Sequence, residues 1–125
     1  MRAVIIEDNE SLRLVLRTMM EFDCAATIVG EAVDGQDGLA MIQSTNPDVA
    51  VVALHLDGMT GLQVIEAARA SHPNLRLVAY SADPRLLQSA AASGADLALD
   101  KSHGPDEVCR SINTMFAARR DTSTG

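Results

Sequence analysis

Short apolar segments alternate along this chain with longer segments whose apolar residues recur every three or four positions. The short segments are rich in β-branched residues, and three of them lack alternating polar positions, which is typical of strands covered on both faces. The predicted strands are Ala3–Ile6, Ala26–Ala32, Val49–Leu54, Leu75–Ser81 and Asp96–Asp100. Turn-forming residues separate these strands from the segments that follow them.

Each segment after a predicted strand carries apolar residues on one helical face. These sets are Leu12, Val15, Leu16 and Met19; Leu39 and Ile42; Leu62, Ile65 and Ala68; Leu87, Ala90 and Ala91; and Val108, Ile112, Met115 and Phe116. In the first helix, Leu14 and Met20 fall outside the predicted stripe. The pattern predicts an α/β protein of (βα)5 order, with a doubly wound five-stranded parallel sheet and helices on both faces.

The length of the chain indicates the number of domains, and its charge indicates which partners it can bind. The 125 residues fit one domain, predicted over 1–119, and the polar, aperiodic residues 120–125 are predicted to be a tail or the start of a linker. The 17 acidic residues outnumber the 10 basic ones, giving a net charge of −7. Because a nucleic-acid backbone or an anionic membrane would be repelled, we expect no direct nucleic-acid binding and no membrane binding.

The two cysteines, Cys24 and Cys109, lie among apolar neighbours without metal-site spacing. They are interpreted as small core residues of a protein from a reducing compartment. No apolar run is long enough for a membrane span, and the first residues lack the features of a signal peptide. The expected location is the cytoplasm.

Chemistry in such a fold is expected where the parallel strands end, at their carboxyl edge. Glu7 and Asp8 follow the first predicted strand, Ser81 ends the fourth and Lys101 follows the fifth. Two carboxylates, a hydroxyl and an ammonium group suit a divalent cation and a phosphoryl group. The third strand ends near Ala53, so the expected nucleophile is missing.

Five motifs resemble the receiver domain of bacterial two-component response regulators, over nearly all of residues 2–118. They are "VIIEDNESLR", "VGEAVDGQDGL", "PDVAVVALHLDGMTGLQVI", "LVAYSA" and "SGADLALDKS". The resemblance implies a flavodoxin-like receiver fold. It matches Glu7 and Asp8 to the family's acidic pair, Ser81 to its Ser/Thr position and Lys101 to its lysine.

Three departures from the family pattern bear on function. The resemblance implies that the position of Ala53 normally holds the phosphoacceptor aspartate, and a methyl group has no lone pair to attack phosphorus. The position of Ala98 normally holds an aromatic switch residue, which alanine cannot replace. Asp57 and Ser102 stand where the family generally has prolines. The chain is therefore interpreted as an atypical receiver, or pseudo-receiver, that acts independently of phosphorylation.

The remaining site residues are interpreted as weak ligands or as partners in local contacts. Glu7 and Asp8 could hold Mg²⁺ only weakly without a third carboxylate at position 53. Lys101 is predicted to pair with Asp8, and Ser81 to make local hydrogen bonds. His55 is interpreted as a surface residue, with transition-metal binding beside Glu7 or Asp8 as the alternative.

Other function classes fit the sequence less well. The acidic loop after the first strand disfavours a flavodoxin-like electron carrier. A cobalamin-binding domain would carry its histidine loop after the first strand, whereas His55 follows the third. A hydrolase would need a nucleophile and a base, and Ser81 has no GxSxG motif. We therefore expect a protein that is not an enzyme.

Two questions about signalling stay open at this point. The alternative to phosphorylation-independent action is a conventional kinase-driven receiver phosphorylated at another residue, such as Asp57. The last motif most resembles receivers of LuxR-type transcription regulators, in which a DNA-binding output domain follows. The sequence ends before any such domain, which fits either a stand-alone receiver or a part of a larger protein. We expect a homodimer through the fourth or fifth helix, with a protein partner or output domain receiving the signal.

Overall fold

The computed structural model describes residues 1–124, with side chains described for residues 1–117. Strands and helices alternate as β1 (Arg2–Ile6), α1 (Glu10–Asp23), β2 (Thr27–Ala32), α2 (Gly35–Thr45), β3 (Val49–Ala53), α3 (Gly61–Ser71), β4 (Arg76–Ser81), α4 (Pro84–Ser93), β5 (Leu97–Asp100) and α5 (Asp106–Thr124). A 3₁₀ turn, Lys101–His103, joins β5 to α5. The predicted tail, 120–125, lies outside the described side chains and stays a prediction.

All four strand pairings are parallel, and the strand order is β2-β1-β3-β4-β5. This order, with helices on both faces, is that of a flavodoxin-like doubly wound sheet. The predicted fold class is confirmed. The carboxyl ends of β1, β3, β4 and β5 lie side by side, because these strands are consecutive neighbours in the sheet.

Alternate residues of the central strands supply two hydrophobic cores, one on each face of the sheet. Ala3 and Ile5 of β1 face the core that includes residues of α1 and α5. Val4 and Ile6 face the opposite core, to which α2, α3 and α4 contribute. Burial on both faces explains why β3 is apolar at every position.

Side-chain caps start the helices close to the strand ends. Asn9 caps α1 by accepting a hydrogen bond from the amide of Leu12, and Thr60 and Gln63 form a capping box at α3. At Gly61, a Cβ atom would overlap the carbonyl oxygen of Ala53. The glycine therefore allows α3 to begin directly against the end of β3.

Two residues of α1 differ from their predicted places. Met20 was predicted outside the buried stripe but is 0% exposed, and Val15 was predicted within it but is 42% exposed. Met20 follows the buried Leu16 by four positions, whereas Val15 lies about 100° around the helix from Leu16. The helix therefore buries an arc rotated toward Met20. Leu14 is exposed, as predicted.

Within the described residues, no helix has the combination of length and apolarity that crossing a membrane requires.

Candidate functional site

The predicted site residues gather at the carboxyl edge of the sheet. Glu7 follows β1, Ala53 ends β3, Ser81 ends β4 and Lys101 begins the turn after β5. Ala53 is in register with Tyr80, and Ser81 with Asp100. The structure thus brings together residues that are up to 94 positions apart in the sequence.

A buried ion pair lies at the centre of this edge. Lys101 Nζ donates to Glu7 Oε1 at 2.7 Å, and the Glu7 side chain is 1% exposed. The second carboxylate oxygen, Oε2, accepts a hydrogen bond from the backbone amide of Asn9 at 3.1 Å. Both oxygens of Glu7 are therefore engaged by the protein itself.

The prediction that Lys101 pairs with Asp8 is wrong, because its ion pair is with Glu7. The reason is strand alternation: Glu7 continues the face of Ala3 and Ile5, and this is also the face on which Tyr80 lies beneath Lys101. Asp8 is exposed. A hydrogen bond with Glu7 holds the pKa of Asp8 below its ordinary value, and the charge of Lys101 contributes in the same direction.

Tyr80 is a site residue that the sequence prediction missed. Its ring is buried, and Lys101 Nζ lies 5.6 Å from the ring centroid, within the range of a cation–π interaction. Burial raises the pKa of Tyr80, and the negative charge of Glu7 raises it further, so the phenol is neutral near pH 7. The available signal was that the chain has a single tyrosine, directly before Ser81.

Position 53, where the family resemblance implies the phosphoacceptor, is filled by a small apolar side chain. Ala53 is 1% exposed, and its methyl group cannot ligate a cation or attack phosphorus. Ser81 is also buried, and its Oγ accepts a hydrogen bond from the backbone amide of Asp83 at 3.0 Å. This matches the local hydrogen bonding that we predicted for Ser81.

The arrangement offers few ligands to a metal ion. Both oxygens of Glu7 are engaged, which leaves Asp8 as the exposed carboxylate of the acidic pair. His55 Nε2 lies 3.8 Å from Asp83 Oδ2 and is mostly exposed. Among the described residues, no three His, Cys, Asp or Glu side chains group in a way that could hold a metal ion. The residues present are a poor match for a tightly bound Mg²⁺.

The remaining departures lie at the rim of the site. Ala98 is exposed on β5, and Asp57 is exposed in the loop between β3 and α3. The Asp100 carboxylate accepts a hydrogen bond from the Ser102 amide at 2.8 Å. Proline at position 102 would have no amide hydrogen for this bond. The turn after β5 therefore begins with a hydrogen bond that a chain with proline at position 102 could not form.

Comparisons with known proteins agree with this geometry. Residues 3–113 match the family model described as the response regulator receiver domain. The response regulator GacA of Pseudomonas viridiflava is 28% identical over 125 residues, which cover 95% of this chain and 56% of that protein. The chain thus spans about half the length of that curated relative.

Solved structures show the same fold. The receiver domain of the response regulator NarL from Mycobacterium tuberculosis superposes with a TM-score of 0.81 at 29% identity, covering 89% of this chain and 91% of that one. A LuxR-family two-component response regulator from Aurantimonas superposes with a TM-score of 0.86 at 24% identity, covering 94% and 85%. The chain belongs to the response regulator receiver domain family.

Proposed function

We propose that this receiver domain works in two-component signalling without being phosphorylated, as a protein-interaction module and not as an enzyme. The observation that carries the proposal is Ala53, a buried methyl group at the position where the family resemblance implies the phosphoacceptor. An acyl phosphate requires a carboxylate oxygen as nucleophile, and alanine provides none.

The surrounding side chains support the same proposal. Lys101 is held by Glu7, so its ammonium group is neutralised in the absence of any phosphoryl group. Ser81 already accepts a backbone hydrogen bond, and Ala98 has no side-chain torsion with which to signal a change at Ser81. With methyl groups at positions 53 and 98, the site lacks both the acceptor and the side chain through which phosphorylation would change this arrangement.

The proposed partners follow from the same reasoning. A receiver without a phosphate switch needs an interaction surface that is permanently competent. We assign this surface to the α4–β5–α5 face, through which the domain forms a homodimer and regulates a DNA-binding output domain in the cytoplasm. Exposed small residues on this face, Ala91 and Ala92 of α4 and Ala98 of β5, allow close approach of a second backbone.

The test is to incubate the protein with acetyl phosphate and Mg²⁺ and to measure its intact mass. We expect no phosphoryl adduct on the wild-type chain. A stoichiometric adduct would contradict the proposal. If that adduct disappears in Asp57→Asn, the alternative of phosphorylation at Asp57 is correct instead.

The matched control is Ala53→Asp, which supplies the missing carboxylate in the same pocket. This variant should acquire one phosphoryl group under the same conditions. It should also melt at a higher temperature when Mg²⁺ is added, because the cation relieves repulsion among three carboxylates. Wild-type protein, in which both Glu7 oxygens are already engaged, should show little change. A variant that neither reacts nor responds to Mg²⁺ would contradict the assigned pocket geometry.

A further inference from the structure

The two cysteines meet in the core between α1 and α5, although they are 85 positions apart. Cys24 caps the C-terminus of α1, and Cys109 lies in the first turns of α5. The Cys24 thiol approaches the carbonyl oxygen of Cys109, with Sγ 3.6 Å from that oxygen. Both side chains belong to the same buried cluster. The fold therefore brings together two cysteines that the proposed function does not use.

We propose that Cys24 and Cys109 are a dithiol pair that peroxides oxidise to an intramolecular disulfide, cross-linking α1 to α5. This role of the cysteine pair is additional to the proposed function and does not depend on it. The cytoplasm keeps such a pair reduced in ordinary conditions, so the cross-link would report oxidative stress.

The environment gives the two thiols different chemical roles. A hydrogen bond from the Cys109 side chain lowers the pKa of Cys24, which favours its thiolate. The same interaction, together with burial, raises the pKa of Cys109, which keeps it a thiol. Both thiols are buried, but Cys24, at the end of its helix, is 6% exposed against 3% for Cys109, so it is slightly nearer to solvent. Cys24 is therefore the side chain that a peroxide attacks first.

The reaction balances in two steps. The Cys24 thiol loses its proton, and the thiolate attacks a peroxide oxygen and becomes a sulfenic acid. The O–O bond breaks, and the hydroxide that leaves takes up the released proton to form one water. The Cys109 sulfur then attacks the Cys24 sulfur and loses its proton, and the S–O bond breaks to release a second water. Two thiols lose two electrons and two protons in total, and hydrogen peroxide is the oxidant.

The experiment treats the native protein with hydrogen peroxide, blocks remaining thiols with N-ethylmaleimide under denaturing conditions, and measures intact mass. We expect a product about 2 Da lighter than the reduced chain that takes up no maleimide, with dithiothreitol restoring both thiols. Peptide mapping should join the Cys24 and Cys109 peptides. Two maleimide adducts, oxygen adducts or disulfide-linked dimers in place of this product would overturn the proposal.

Two further measurements separate the site from general thiol reactivity. The variants Cys24→Ala and Cys109→Ala should each form no intramolecular product, and a thermal melt verifies that each is folded. Oxidised wild-type protein should melt at a higher temperature than the reduced form, because the cross-link restricts the unfolded chain.

Discussion

At the scale of single residues, the pairing of Glu7 with Lys101 dominates the site. A buried carboxylate is tolerated only when charge and hydrogen bonds compensate for lost hydration. Here the ammonium group of Lys101 and the amide of Asn9 supply that compensation. In the absence of a carboxylate at position 53, this pair has a structural role that needs no ligand.

Replacing Lys101 with methionine tests that role. The variant Lys101→Met leaves the Glu7 carboxylate buried without its cation, so we expect a loss of about 2 kcal/mol in the free energy of unfolding. Urea denaturation at neutral pH measures this loss. The control is the double variant Glu7→Gln, Lys101→Met, which removes both charges and should recover part of the stability. A single variant as stable as the wild type would show that the pair contributes nothing.

At the scale of structural elements, caps decide where strands end and helices begin around the site. The turn Lys101–His103 is the clearest example, because Asp100 accepts hydrogen bonds at its start. The backbone amide of Ser102 holds the pKa of Asp100 below its ordinary value, and the Ser102 hydroxyl adds to the effect. The cap places Lys101 directly after β5, within reach of Glu7.

This cap predicts a dependence of stability on pH. The pKa of Asp100 is lower in the folded protein than in the unfolded chain. Its contribution to the free energy of unfolding is therefore fully present above the unfolded pKa and is lost as the pH falls through the folded pKa. This loss is expected below about pH 4. The variant Asp100→Asn keeps an acceptor for Ser102 but cannot titrate. The stability difference between wild type and variant should shrink on acidification, as measured by denaturation from about pH 6 to about pH 2.5. A constant difference would contradict this account of the cap.

At the scale of the whole molecule, the large exposed apolar side chains lie away from the proposed dimer face. Leu14, Val15 and Phe22 occupy the solvent side of α1, and Phe22 is 82% exposed. The α4–β5–α5 face instead exposes small residues such as Ala91 and Ala98. A dimer formed through α1 and a dimer formed through the α4–β5–α5 face would be disrupted by different substitutions, so variants on each surface can show which one is the interface.

We expect the domain to form a dimer without any phosphodonor. The variant Ala91→Arg places a long charged side chain on the proposed two-fold interface and should shift the protein toward monomer. The matched variant Phe22→Ser, on α1, should leave the dimer unchanged. Sedimentation velocity across a concentration series measures both. A wild-type monomer at high micromolar concentration, or a dimer disrupted only by Phe22→Ser, would contradict the assigned face.

The sequence by itself determined the order of strands and helices and the edge at which chemistry would lie. Strands buried on both faces are continuous apolar runs, and helices that bury one face repeat at 3.6 residues, so both signals are local in the chain. The same locality placed Glu7, Ala53, Ser81 and Lys101 at strand ends, and the absence of a nucleophile at Ala53 needed no structure at all.

Only the tertiary structure decided which of these groups meet. The partner of Lys101 is 94 positions away in the sequence. Lys101 pairs with Glu7 and not with Asp8 because Glu7 lies on the face of β1 that is on the same side of the sheet as Tyr80. The burial of Met20 instead of Val15 depends on the rotation of α1 against the sheet. In each case the deciding contact joins segments distant in sequence, and its geometry is set by packing that no local pattern records.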